Sequence, residues 1–322
     1  MTTKQVVIIG NGRPVQECLS ILDAHPRVEV RLVVLEPGTD LAQRRLRAFC
    51  TGREFDTLVN DDSVNSSEVV ARIGAKAPDF IFSINNFQIL RPSLLNLPRD
   101  GAINFHNGPI PEYRGVNAPS WAIWNGEQAH GVSWHYMEPE VDRGDLAAAE
   151  EFPLTGAETA VALMLRCIEV GVNLFETELD NILNGQKMTV PARGKSRYYY
   201  RKQLPNGGIL DLTWRYAKIS RLLRATDFRP FPNPFTYAKV PINGAELIIN
   251  ELEIEGPNRG QRPGMVVRAD GETLIVACHD QLLRVTRAMN ARDIETSVGE
   301  RIRTLGLRPG QQLSASEPML PE

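Results

Sequence analysis

The stretch Gln5-Val6-Val7-Ile8-Ile9-Gly10-Asn11-Gly12-Arg13-Pro14 decides the architecture. Four consecutive β-branched residues suit a strand buried on both faces. Gly10-Asn11-Gly12 is a turn. Pro14 fits the first turn of a helix to about Ala24, where its missing N–H costs nothing. The alternation continues outward. Val28 to Leu35, apolar except at Glu29 and Arg31, is a second strand, and Ser66 to Lys76 is a helix. Asp79 to Ile84 and Gly101 to His106 are further strands. Ala118 to Asn125 is a short helix, and a strand follows near Gly131 to Met137. In the long helix from about Glu158 to Leu183, Val161, Leu165, Ile168, Val172, Phe175, Leu179 and Ile182 recur at steps of three and four, giving one apolar stripe. Strands alternating with helices predict an α/β domain with an open, mostly parallel sheet and flanking helices.

The pattern then changes. Gly185 to Gly208, rich in Gly, Pro, Lys and Arg, reads as an interdomain link, and a helix from about Trp214 to Ala225 follows. Five short β segments come next: Phe235 to Val240, Leu247 to Ile254, Gly264 to Ala269, Thr273 to Ala277 and Leu282 to Ala288. Asn243-Gly244 and Asp270-Gly271 mark turns between two pairs of them. The expectation is a small C-terminal β-barrel, OB-like. The division is thus 1–186, a basic link over 187–208, and 209–322.

The 322 residues are 42% hydrophobic and 23% charged, as in globular proteins. Val6 to Ile9 is too short a run for a signal peptide or a membrane span, so a cytoplasmic protein with no membrane partner is expected. Cys18, Cys50, Cys167 and Cys278 form no metal-ligand pattern, and no metal is expected. His279 beside Cys278 is read as a strand end and turn. Lys187 to Lys239 holds 12 Lys and Arg against 2 Asp and Glu, while the remainder holds 24 against 37. Such a basic segment is either a site for an anionic partner or a solvated face.

Asn104-Phe105-His106-Asn107-Gly108-Pro109 and the later Val141-Asp142-Arg143-Gly144-Asp145 carry the chemistry. Asn104 and His106, two apart in a strand, leave on one side at its end. Open parallel sheets keep their ligand sites there. An amide that donates to a developing oxyanion and an imidazole that moves protons suit acyl transfer to an amine. Asp142 would orient the ring and fix its tautomer.

These segments resemble the folate-dependent formyltransferases, whose signature is Asn-x-His followed by a later Asp. "DFIFSINNFQIL", "GAINFHNGPIPEYRG", "HGVSWHYM" and "VDRGD" stand in the family's order, and the gap of 36 residues from His106 to Asp142 is similar. "LLRATDFRPFPNPFTYAKV" and "TLGLRPGQQL" resemble the C-terminal domain of methionyl-tRNA formyltransferase and of the amino-sugar formyltransferases. The resemblance implies Asn104, His106 and Asp142 as catalytic residues and 10-formyltetrahydrofolate as formyl donor. It implies a folate pocket between Phe87-Gln88-Ile89-Leu90 and Glu138-Pro139-Glu140-Val141, the first segment holding the pterin edge by its backbone. Without it, Phe87, Ile89 and Leu90 read as core.

Gly10-Asn11-Gly12-Arg13 has two glycines of the dinucleotide fingerprint, with Val15 where the third belongs, so NAD is not expected. The loop is similar to the phosphate loop of the glycinamide-ribonucleotide branch, with backbone N–H groups at a helix start and Arg13 beside them. The alternative is a tight turn alone. Tyr113 and Arg114 are candidates for the acceptor side. His135 is either a supporting group or a satisfied core histidine, and Trp121, Trp124 and Trp134 are either pocket wall or core. The acceptor expected is a small primary amine, phosphate-linked or carrier-bound. Initiator methionyl-tRNA, hydrolysis of the formyl donor, and a non-catalytic folate binder are the alternatives.

Overall fold

The computed structural model describes residues 2–38, 40–60, 62–188, 196–242, 244–290 and 294–313. The elements are β1 (Lys4–Gly10), α1 (Gly12–Ala24), β2 (Val28–Leu35), α2 (Leu41–Gly52), β3 (Thr57–Val59), α3 (Ser67–Gly74), β4 (Phe80–Ile84), α4 (Pro92–Leu95), β5 (Gly101–His106), β6 (Arg114–Gly115), α5 (Ala118–Asn125), β7 (Ala129–Tyr136), β8 (Leu146–Pro153), α6 (Ala160–Leu183) and β9 (Tyr198–Tyr199). They continue with α7 (Tyr216–Ala225), β10 (Lys239–Ile242), β11 (Ala245–Pro257), β12 (Val266–Asp270), β13 (Thr273–Ala277), β14 (Gln281–Met289), β15 (Glu295–Thr296) and α8 (Val298–Leu305).

The chain divides into two compact units. One comprises 1–118, 129–153 and 164–199, and the other 119–128, 154–163 and 200–322. The first is built on a seven-stranded sheet in the order β3-β2-β1-β4-β5-β7-β8. Pairing is parallel from β3 to β5, and β7 and β8 are antiparallel. The strand order reverses at β1 and β4, which opens a crevice at their C-terminal ends. Gly10 sits there because a Cβ would lie 1.8 Å from the Ile84 carbonyl oxygen.

On one face of the sheet Phe82, Phe105, Trp134 and Phe175 pack ring to ring. A Cβ at Gly171 of α6 would meet the Phe105 ring at 2.1 Å. The Trp134 indole donates to the Gly171 carbonyl at 2.9 Å. The helix therefore approaches closest at that glycine, and its buried line runs through Leu163, Cys167, Leu174, Phe175, Leu179 and Ile182. Leu165, expected in the stripe, is 45% exposed, because the contact line is set by Gly171 rather than by the bulkier neighbours.

The second unit carries a curled antiparallel sheet, β10-β11-β14-β13-β12 with β15 on β14, around a small barrel-like core. Trp124 packs on Trp214 and Trp121 on Phe235 within it, while Trp134 is core of the first unit. The first strand begins at Lys239, not Phe235. Asn233 donates to the Thr226 and Thr236 carbonyls and accepts from the Phe235 N–H, bending the segment before it extends. In the β12–β13 hairpin Asp270 pairs with Thr273, so the loop is Gly271-Glu272 rather than Asp270-Gly271. Asn243 lies outside the described residues, and Gly244 takes a positive φ of 80°. The expected link is not all loop, since Tyr198-Tyr199 forms a parallel ladder with Arg114-Gly115. No helix is long and apolar enough to cross a membrane among the described residues.

Candidate active site

β5 ends in Asn104 and His106 on one side, with Phe105 packed on the other against α6. The antiparallel register of β5 and β7 puts His135 directly across from Asn104. The Asn104 side-chain nitrogen is 3.2 Å from His135 Nε2. Asp142 enters from the loop after β7 with φ 55°, a left-handed backbone that costs an aspartate on the order of 1–3 kcal/mol. Its carboxylate lies between two imidazoles, Oδ2 at 3.8 Å from His106 Nδ1 and Oδ1 at 3.4 Å from His135 Nε2. The Gly115 N–H donates to Oδ2 at 2.7 Å. Burial pushes the Asp142 carboxyl up. The His106 charge, the His135 hydrogen bond and the Gly115 N–H outweigh it and hold the group well below the usual carboxylate range.

The hydrogen bonds fix much of the proton placement. His106 Nε2 is 2.6 Å from the Tyr113 carbonyl, which only accepts, so Nε2 carries a hydrogen. Nδ1 is then the nitrogen that gains or loses a proton. His135 Nδ1 likewise donates to the Tyr136 carbonyl at 2.9 Å. A neutral His135 accepts from the Asn104 amide. A charged one donates to Asp142 and requires Asn104 to present its oxygen. One proton and one amide flip separate these arrangements.

The loop after β5 is held from below. His130 Nε2 donates to the Asn107 carbonyl at 3.1 Å, and the Ser133 hydroxyl donates to that of Gly108 at 3.0 Å. Burial, with repulsion from His106, outweighs the Asn107 bond and pulls His130 down to about 4.

Of the other candidates, residues 10–13 and 87–90 lie at or just after the C-terminal ends of β1 and β4, whereas Glu138 follows the antiparallel β7 and lines a cleft at the opposite end of the sheet. Phe87 and Ile89 are 68% and 63% exposed, contrary to the core alternative, while Leu90 is core. Asn65 and Asn86 side chains tie the loop through the Ile89 carbonyl and the Gln88 backbone, and Gln88 Oε1 accepts from the Val64 N–H. Glu138, Pro139 and Glu140 are exposed and Val141 half-buried, with Glu140 paired to Arg143. At the first turn, Asn11 Oδ1 accepts from the Glu36 N–H and from Gln43, joining β1, β2 and α2. No side chain caps the start of α1 at Gly12. Arg13 is exposed and paired with Glu17 at 2.6 Å. Tyr113 is buried and stacked on Tyr199. Arg114 lies over the Tyr198 ring, with its Nε buried and unpartnered.

Part of the charge elsewhere is paired internally. A cleft of about 520 Å³ at the opposite end of the sheet holds Lys4 on Asp100 and Lys187 on Asp145. In the basic segment Arg229 is held by Asp227 and Glu251, and Lys239 by Glu246. Arg193 and Lys195 lie outside the described residues.

Residues 4–179 match the family described as formyl transferase, and residues 205–304 match formyl transferase, C-terminal domain. The chain belongs to the formyl transferase family. The solved structures that share its fold include these three. An N-formyltransferase from Helicobacter canadensis, in complex with folinic acid and dTDP-3-aminofucose, is 18% identical with TM-score 0.63, over 88% of this chain and 99% of that one. A 4-N formyltransferase from Francisella tularensis is 21% identical with TM-score 0.61, over 76% and 96%. HypX from Aquifex aeolicus, in complex with tetrahydrofolic acid, is 18% identical with TM-score 0.62, over 94% of this chain and 47% of that one.

Proposed function

We propose that the chain moves the formyl group of 10-formyltetrahydrofolate to the primary amine of a small, phosphate-linked acceptor such as an amino-sugar nucleotide. The observation that carries this is the meeting of Asn104, His106, Asp142 and His135 at the end of β5. The donor, when bound, supplies a formyl group on a weakly basic nitrogen. Phe87 and Ile89 offer exposed apolar surface for its ring system, and the loop 138–141 faces water. Neighbours of the same fold bind folinic acid or tetrahydrofolic acid, which supports a folate donor.

With His135 neutral, one Asn104 amide hydrogen meets it and the other donates to a carbonyl oxygen gaining negative charge, Asp142 then being held by His106 and the Gly115 N–H. His106, with Nε2–H fixed on Tyr113, takes the amine's proton at Nδ1 and returns it to the departing nitrogen. Asp142 stays ionised and stabilises the charged ring between those steps. For the acceptor's phosphate, the uncapped start of α1 with Arg13 and the guanidinium of Arg114 are the two candidates. The dTDP-sugar bound to the Helicobacter canadensis enzyme supports a phosphate-linked acceptor.

Incubating the full chain with 10-formyltetrahydrofolate and a panel of amines, read by mass spectrometry, tests this. One added formyl group on an amino-sugar nucleotide, absent with His106→Ala, is expected. Formylation of methionyl-tRNA instead, or release of formate alone, would replace the proposal.

A further inference from the structure

Two of the contacts that orient the catalytic side chains come from one short stretch. The Tyr113 carbonyl takes the His106 Nε2 hydrogen at 2.6 Å, and the Gly115 N–H binds Asp142 at 2.7 Å. That stretch is held by residues over eighty positions later. Arg114 donates its N–H to the Arg197 carbonyl at 3.0 Å, and Val116 to that of Tyr199 at 3.1 Å. The Tyr199 ring, 9% exposed, stacks on Tyr113 with centroids 5.5 Å apart and planes at 21°. Gly115 has φ 91°, and a Cβ there would stand 2.2 Å from the Tyr199 oxygen, so the two backbones meet at a distance only glycine allows.

We infer that Tyr199 is a positioning residue for formyl transfer, its ring bracing the carbonyl that fixes His106 and its backbone bracing the N–H that fixes Asp142. It rests on the proposed roles of His106 and Asp142. The stacked rings add attraction beyond their buried area to a ladder only two residues long. Released, the 113–115 stretch would leave the His106 ring without a fixed tautomer.

The test has two arms. In the first, ¹⁵N-histidine NMR of the full chain follows the His106 ring, its signals assigned by difference with His106→Gln. The wild type should show Nε2 protonated, and Tyr199→Ala should show the tautomers averaged. Tyr199→Phe, which keeps the ring, should restore the wild-type pattern. In the second, with any amine the wild type formylates, Tyr199→Ala should lower kcat by about tenfold to a hundredfold and leave the donor KM unchanged. Tyr199→Leu, which keeps most of the apolar volume, replaces the alanine variant if that one fails to fold.

An unchanged His106 tautomer and unchanged kcat in folded variants lacking the ring overturn the inference. A wild type that formylates no amine while its His106 signals still track Tyr199 leaves the positioning intact and removes formyl transfer.

Discussion

His130 makes acid stability a local measurement. It is 1% exposed, donates through Nε2 to the Asn107 carbonyl, and has no partner for Nδ1. Burial lowers its pKa to about 4, against about 6.5 for an unfolded histidine. The folded state therefore resists a proton that the unfolded chain accepts. The stabilisation is fully present above about pH 6.5 and is lost as pH falls through 4. A shift of that size corresponds to about 3 kcal/mol in all, of which about 2 kcal/mol is gone by pH 5. Asp142 loses its contribution only at lower pH, since its carboxyl is held below the usual range. Urea unfolding at half-unit steps from pH 7.5 to 4.5 should show this slope in the wild type. His130→Gln, which keeps a donor for Asn107, cancels every other titrating group by subtraction and should flatten the curve by about 2 kcal/mol at pH 5. Parallel curves for the two proteins would refute the claim that His130 is buried and neutral.

Asn104→Ala, His106→Ala and Asp142→Ala should each lower turnover by about two to four orders of magnitude with folding intact, measured as formyl product per time. Full activity in a folded His106→Ala protein removes its proton-transfer role. Arg13→Ala or Arg114→Ala should raise the acceptor KM by about tenfold with the folate affinity unchanged, and calorimetry with 5-formyltetrahydrofolate separates the two effects. Charge reversal at Arg197, Arg201 and Lys202 should do less, and the opposite ranking would favour a polyanionic acceptor such as tRNA. Gly10→Ala should cost about 3 kcal/mol in denaturant unfolding, since its Cβ would overlap the Ile84 carbonyl. A loss below about 1 kcal/mol would mean that β1 and β4 separate easily.

Local pattern carried the strands that are short apolar runs closed by turn residues. Val28–Leu35, Gly101–His106 and Thr273–Ala277 match the sequence expectation residue for residue. The helix Leu41–Gly52 was not legible, because it buries only Gln43, Leu46 and Cys50 and shows no continuous apolar stripe. Its one local mark is Asp40, whose side chain caps the Ala42 and Gln43 N–H groups. Leu146–Pro153, with three alanines and two glutamates, has little strand propensity, and its pairing with β7 makes it a strand. The closeness of Asn104 and His106 follows from their spacing. That of His135 depends on the register between β5 and β7, which neither segment specifies alone. Tyr199 was hidden in a segment whose charge pointed to an anionic partner or a solvated face, not to a brace for the active site.

The way the chain threads its two units has a bearing on inheritance. The second unit takes residues 119–128 and 154–163 from inside the stretch that matches the N-terminal family segment. Trp124 on Trp214, Trp121 on Phe235 and the Val161 N–H on the Asp227 carbonyl tie those pieces to the chain beyond residue 200. A crossover that exchanged only residues 205–304 between relatives would give each offspring protein tryptophans fitted to another parent's surface. The unit that can be swapped intact is a set of three separated segments. Chimeras made at a single breakpoint should therefore fold poorly, and those that also carry 119–128 and 154–163 from the same parent should recover.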